Sequence, residues 1–180
     1  MLTIRGEQPA DYDAIDHVNR TAFGQEIEPR LVRDLRAQPE FDPELSLVAE
    51  EAGRIVGHIL FTPLRIEGDG ITHTVQTLAP LAVVPQRQRQ GVGTQLTWAG
   101  LEACRRKGHV VVVVVGHPWY YPRFGFEPAR THGLEAPFPV PDEAFMVREL
   151  VAGALARVRG MIRLSPPFDT VMQAEAATPE

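Results

Sequence analysis

The residues with the clearest chemical potential lie in the segment 78–96, LAPLAVVPQRQRQGVGTQL, where Gln88-x-x-Gly91-x-Gly93 joins a strand-like run to a helix-like one. Helix N-termini carry unpaired backbone N–H groups and partial positive charge. Glycines at 91 and 93 remove the side chains that would keep a diphosphate from those groups. The segment reads as an anion cradle, with Arg87 and Arg89 adding charge at its rim. Two glycines also suit a plain tight turn, and this segment alone leaves that reading open. A dinucleotide-binding loop fits less well: GxGxxG needs a third glycine where Leu96 stands, and no βαβ unit precedes it.

Other reactive side chains are scattered. Glu26 and Glu28 suit a first helical turn, and they also offer carboxylates to a cationic amine. His117 reads first as a cap, His58 as a satisfied structural histidine, and the strand 73–84 offers only His73 and Gln76. The six histidines and one cysteine show no metal-ligand spacing, so no metal is expected. Cys104 sits among Ala103, Arg105 and Arg106 at helical spacing and reads as a buried, inert thiol.

These groups need a scaffold. Residues 2–5 alternate as a short strand, and 7–23 carry Tyr12, Ile15, Val18 and Ala22 at helical spacing until Gly24. A second helix begins near Pro29 and stops at Pro39. Strands are expected over 45–50, 54–65 and 73–84, with Pro80 interrupting the last. A helix over 91–107 ends at Gly108, and the β-branched run 109–115 predicts a strand covered on both faces. A short helix over 119–124 and strands over 127–129 and 144–150 complete the series, while 151–172 has no decisive pattern. Hairpins followed by a strand–helix–strand unit predict one α/β domain with a mixed sheet over 1–172, and residues 173–180 read as a flexible tail.

Composition sets outer bounds. The chain has 180 residues, enough for one domain with a real core. Its 18 basic and 23 acidic residues give a net charge of −5, which argues against nucleic-acid binding. The N-terminus lacks the basic-then-apolar form of a signal peptide, and the longest apolar run, 110–115, is too short to span a bilayer. A cytoplasmic protein without a membrane partner is the expectation.

Val83-Val84-Pro85 followed by Gln88-Arg89-Gln90-Gly91-Val92-Gly93 resembles the acyl-CoA motif Q/R-x-x-G-x-G/A of the GNAT superfamily of N-acetyltransferases. A second segment, 116–128 (GHPWYYPRFGFEP), resembles the family's next motif, in which a tyrosine precedes a Gly-Phe pair by four residues. Both occur in the family's order, and the resemblance covers about residues 1–150. It implies a mixed, mostly antiparallel twisted sheet of six to seven strands with about four helices, the fourth and fifth strands splayed apart. It implies acetyl-CoA as acyl donor, held by Gln88, Arg89, Gln90, Gly91, Val92, Gly93 and Thr94, with Leu81, Ala82 and Val83 offering backbone groups to the pantetheine arm. Tyr121 then matches the general acid that protonates the departing sulfur. The implied reaction is direct transfer to a primary amine, on a small molecule or a peptide, and a homodimer is compatible with the resemblance. A non-catalytic acyl-CoA-binding module and a nucleotide-binding protein are the competing readings; retention of Tyr121 weighs against the first and the missing third glycine against the second.

Overall fold

The structure is a computed structural model and describes residues 1–177. The strands are β1 (Leu2–Gly6), β2 (Ser46–Glu51), β3 (Arg54–Gly68), β4 (Ile71–Val83), β5 (Val111–Val115), β6 (Glu127–Pro128), β7 (Leu134–Glu135), β8 (Phe145–Glu149) and β9 (Gly160–Arg163). The helices are α1 (Tyr12–Phe23), α2 (Ile27–Arg36), α3 (Val92–Arg106) and α4 (Pro167–Ala177). The strand order is β1-β2-β3-β4-β5-β8-β6, with β9 paired to both β3 and β7. The β4–β5 and β7–β9 ladders are parallel, whereas β1–β2, β2–β3, β3–β9, β5–β8 and β6–β8 are antiparallel. The mixed, mostly antiparallel α/β architecture agrees with the sequence reading.

Among the described residues the sheet has nine strands rather than six or seven. The strands beyond those expected have a plain cause: β7 is two residues long and carries no periodicity, and β9 lies in the segment without a decisive pattern. That segment also supplies a 3-10 turn at Ala154–Arg157 and the start of α4, which packs against α2. Residues 173–177 of the expected tail belong to α4, and 178–180 lie outside the described residues.

The chain forms two compact units, the first built from Met1–Thr62, Ala79–Gly100 and the segment from Ser165, the second from Pro63–Leu78 and Leu101–Leu164. In the first unit α3 lies close over β3 because two glycines permit it. An added Cβ at Gly57 would meet Leu96 Cδ1 at 2.8 Å and Val92 Cγ1 at 3.1 Å. One at Gly100 would meet the Phe61 ring at 2.7 Å or less. Val92, Leu96 and Phe61 are at most 1% exposed, so this contact fixes the start of α3.

The second unit has its own apolar core, in which Val111 and Val113 of β5 and Phe145 and Val147 of β8 pack with Leu134, Leu155 and Val158. Val111, Val112, Val113 and Val114 are all buried, as a strand covered on both faces requires. The ladder between β4 and β5 consists of Gln76↔Val112 and Thr77↔Val113. Just beyond it β4 passes through the cis Ala79–Pro80 bond.

Candidate active site

The first unit carries the anion cradle. After β4, a 3-10 turn at Pro85–Arg87 leads through Gln88 to the N-terminus of α3. Arg89 has φ of 59° and Gly91 of 84°. Left-handed residues curl the backbone in the manner that turns successive N–H groups toward one anion. The first bond of the helical ladder runs from Gln95 N–H to Gly91 O at 3.0 Å. The N–H groups of Val92, Gly93 and Thr94 thus precede the ladder and have no acceptor within the helix. No atom lies within 4 Å of where a Gly91 Cβ would stand, so the face of the loop is open.

Side chains brace this loop instead of filling it. Gln88 Nε2 donates to Val83 O at 3.0 Å, and Gln90 Nε2 donates to Gln86 O at 2.9 Å. Thr97 Oγ1 donates to Gly93 O at 2.8 Å. The buried Val92 side chain pins the helix start, while Arg89 is exposed. Arg87 departs from its expected role as loose rim charge. Its guanidinium pairs with Glu51 at 2.6 Å and with Gln90 Oε1, holding the loop to the end of β2. Leu81, Ala82 and Val83 form the end of β4, with Ala82 buried and its neighbours half-buried.

The second unit carries Tyr121, which opens a 3-10 turn at Tyr121–Phe124. The expected helix over 119–124 is therefore shorter and tighter, because Pro122 suits an N-terminal turn and Gly125 (φ 82°) ends it at once. The Tyr121 ring is 7% exposed and stands edge-on to Tyr120 and Phe126, at 5.0 and 5.6 Å between centroids. Burial, with a smaller contribution from Tyr120, pushes its phenol above the ordinary tyrosine range. The group stays protonated throughout the working range, as a proton donor must. Gly116, at the end of β5, is what makes room for it. A Cβ there would stand inside 3.0 Å of Tyr121 Cε2 and 3.1 Å from Cδ2. The sequence signal was a glycine closing an apolar strand, which marks a close approach.

The remaining candidates divide clearly. Glu26 stands at the N-cap position of α2 without a side-chain capping bond and pairs instead with Arg20, whose guanidinium lowers the carboxyl pKa. Glu28 accepts from Gln25 Nε2 at 2.9 Å. Both carboxylates are exposed and engaged locally. The His117 ring is exposed and stacks on Trp119, and it is the His117 carbonyl that starts the following turn, accepting from Tyr120 N–H at 3.0 Å. Cys104 is fully buried and closed to a substrate.

His58 lies in a buried polar chain that has the composition of a hydrolytic triad without its direction. Asn19 Nδ2 donates to Ile15 O at 2.9 Å and to His58 Nδ1 at 3.1 Å, which makes Nδ1 the acceptor. The ring proton then sits on Nε2 and points to Ser46 Oγ at 2.9 Å, and the Ser46 hydroxyl donates to Glu7. Arg36 closes the chain on Glu7 at 2.8 Å. Ser46 thus gives its proton to a carboxylate and receives one from the imidazole, the reverse of an activated nucleophile. Burial, aided by Arg36, pushes the His58 pKa down to about 3, so the ring is neutral. This is a structural network.

A cavity of about 780 Å³ in the second unit was not foreseen from sequence; Glu127, Arg130, His132, Arg148, Glu149 and Arg159 are among its lining residues. Some of these side chains are engaged locally: His132 Nε2 is hydrogen-bonded to Glu127 at 2.7 Å, and Arg130 pairs with Glu135 at 3.2 Å and with Asp142.

A family model for the acetyltransferase (GNAT) domain matches residues 3–129. The uncharacterized N-acetyltransferase YjhQ of Escherichia coli (strain K12) is 41% identical over 165 residues, spanning 89% of this chain and 91% of its own. The crystal structure of Escherichia coli YhbS, a GNAT family N-acetyltransferase in complex with CoA, matches with a TM-score of 0.86 at 35% identity, covering 93% of this chain and 92% of that one. A GNAT family acetyltransferase from Brucella melitensis in complex with acetyl-CoA matches with a TM-score of 0.77 at 31% identity, covering 94% and 99%. A family model matched over most of the chain and relatives at 31–41% identity that span nearly all of it agree: this protein belongs to the GNAT family of acetyltransferases.

Proposed function

We propose that this protein transfers an acetyl group from acetyl-CoA to a primary amine by direct attack within a ternary complex. The observation that carries the reading is the open backbone at Gln88, Arg89, Gln90, Gly91, Val92, Gly93 and Thr94, curled at the start of α3 with free space over Gly91. A diphosphate there accepts hydrogen bonds from amides that have no helical partner and meets the positive end of the helix. Leu81, Ala82 and Val83 offer the pantetheine arm a strand edge, the Val83 carbonyl being already steadied by Gln88.

The neutral amine nitrogen attacks the thioester carbonyl carbon, and a C–N bond forms as the C–S bond breaks. Tyr121 donates its phenolic hydrogen to the developing thiolate. Burial keeps the phenol protonated, so the proton is available when the thiolate develops. The ammonium formed on attack loses its proton to solvent, solvent returns one to the Tyr121 phenolate, and the products are the amide and the free thiol. Covalent transfer through Cys104 is disfavoured by its complete burial.

Thiol release from acetyl-CoA, measured against a panel of primary amines, tests the reaction. Tyr121→Phe should lower kcat about 100-fold and leave acetyl-CoA affinity unchanged. Full turnover by that variant would remove Tyr121 from the chemistry, and a wild-type protein that releases no thiol with any amine would overturn the reaction itself.

A further inference from the structure

Trp119 is 69% exposed, the most exposed of the chain's aromatic residues among those described. Its placement is ordered all the same. One face stacks on His117 at 5.2 Å and 22°, and its ring meets Tyr120 edge-on at 6.0 Å. Tyr120 in turn meets Tyr121 edge-on at 5.0 Å, so an unbroken series of rings runs from solvent to the buried phenol. The series already binds one cation, since the Arg123 guanidinium sits over the Tyr120 ring at 4.9 Å from its centroid. Indole is the best cation-binding face among the aromatic side chains, and most of the Trp119 side chain remains exposed beside that stack. A protein with net charge −5 also favours a positively charged small molecule.

We propose that Trp119 is a specificity-determining residue whose exposed indole holds a second positive charge on the acceptor, so that the preferred substrate is a diamine or a guanidino-amine. The inference rests on the acetyl transfer proposed above, with Tyr121 marking the reacting end. Two ring-to-ring steps separate Trp119 from Tyr121, a span that an extended alkyl chain bridges between its two cationic ends. Attack uses one terminus after it loses its proton; the other stays charged and lies on the indole.

The discriminating probes are 1,5-diaminopentane and 1-aminopentane, which match in length and differ by one charged terminus. Wild-type kcat/KM should favour the diamine. Trp119→Ala should lower kcat/KM for the diamine about 3- to 30-fold through KM, leave the monoamine and acetyl-CoA affinity unchanged, and be partly rescued by Trp119→Phe. Equal losses for both amines, no loss for either, or a loss confined to acetyl-CoA affinity would each overturn the proposal. The last outcome would assign the indole to the donor. The chain has two tryptophans, so Trp98→Phe leaves Trp119 as the only tryptophan emitter. Quenching by the diamine without acetyl-CoA then reports binding apart from chemistry. Binding without turnover would sink the proposed reaction and leave this site standing, whereas turnover without diamine preference would sink only this site.

Discussion

Gly116→Ala tests whether the position of Tyr121, beyond its presence, sets the rate. The added Cβ would stand inside 3.0 Å of Cε2, 3.1 Å from Cδ2 and 3.4 Å from Cζ of the Tyr121 ring. Carbon atoms pack at about 3.5 Å or more, so the near edge of the ring must retreat by roughly 1 Å. The backbone at 116 has little freedom to absorb this, because Gly116 N–H donates to Ala144 O at 2.9 Å. The ring has little either, being 7% exposed between Tyr120 and Phe126. Overpacking of this kind costs about 1–3 kcal/mol, or a Tm lower by about 2–12 °C for a chain of this length. A displacement of about 1 Å at a reacting group lowers turnover about 100-fold. The expected result is a folded protein whose kcat falls as far as in Tyr121→Phe, with acetyl-CoA affinity unchanged. The double variant Gly116→Ala, Tyr121→Phe should be no slower than either single one, since both remove the same donation. Steady-state kinetics and thermal unfolding on the four proteins decide it. A Gly116→Ala protein with wild-type kcat, or multiplicative losses in the double variant, would refute the reasoning.

Two further substitutions probe the first unit. Gly91→Val places a branched side chain in the open space over the cradle at φ 84°, so it should raise KM for acetyl-CoA at least tenfold at a stability cost of about 1–2 kcal/mol; an unchanged KM would remove the diphosphate from this loop. The neutral, buried His58 titrates at about 3 in the folded protein and near 6.5 when unfolded, so the unfolded chain binds the extra proton between those values and stability is lost as pH falls through that window. Lowering the pH from 6.5 to 4.5 should cost about 2 kcal/mol through this residue, and denaturant unfolding of His58→Gln should lack that part of the slope; an identical pH dependence would contradict it.

The legible parts of the fold are those where one element carries its own pattern. The run 109–115, with its continuous valines, called for a doubly covered strand, and Val111–Val114 are buried while Val110 and Val115 at its ends are exposed. The spacing in 91–107 required an amphipathic helix, and α3 spans Val92–Arg106 with Val92 and Leu96 inward. What escaped the sequence depends on partners distant along the chain. The two-residue β7 exists through its pairing with β9, and no local period announces it. His58 reads as a satisfied structural histidine, but the groups that satisfy it, Asn19 and Ser46 backed by Glu7 and Arg36, come from distant segments and are not announced. Gly57 and Gly100 give no local sign that α3 and Phe61 must come so near.

The same distinction explains why the donor is far more legible than the acceptor. A diphosphate is recognised by backbone amides, and the conditions for exposing them are written locally as glycines at fixed spacing before a helix. Side chains in the cradle are replaceable braces, which is why Gln88, Gln90 and Arg87 bond to Val83, Gln86 and Glu51 and leave the amides to face outward. An amine acceptor has no comparable backbone signature; it is chosen by side chains whose exposure and stacking only a folded chain defines. Trp119 illustrates the point. In the sequence it is one aromatic residue beside two tyrosines, most simply a packing residue, yet in the fold it is exposed and held in place on His117. A packing role predicts that its loss would harm all amines alike, whereas a recognition role predicts a loss that tracks the second charge of the acceptor.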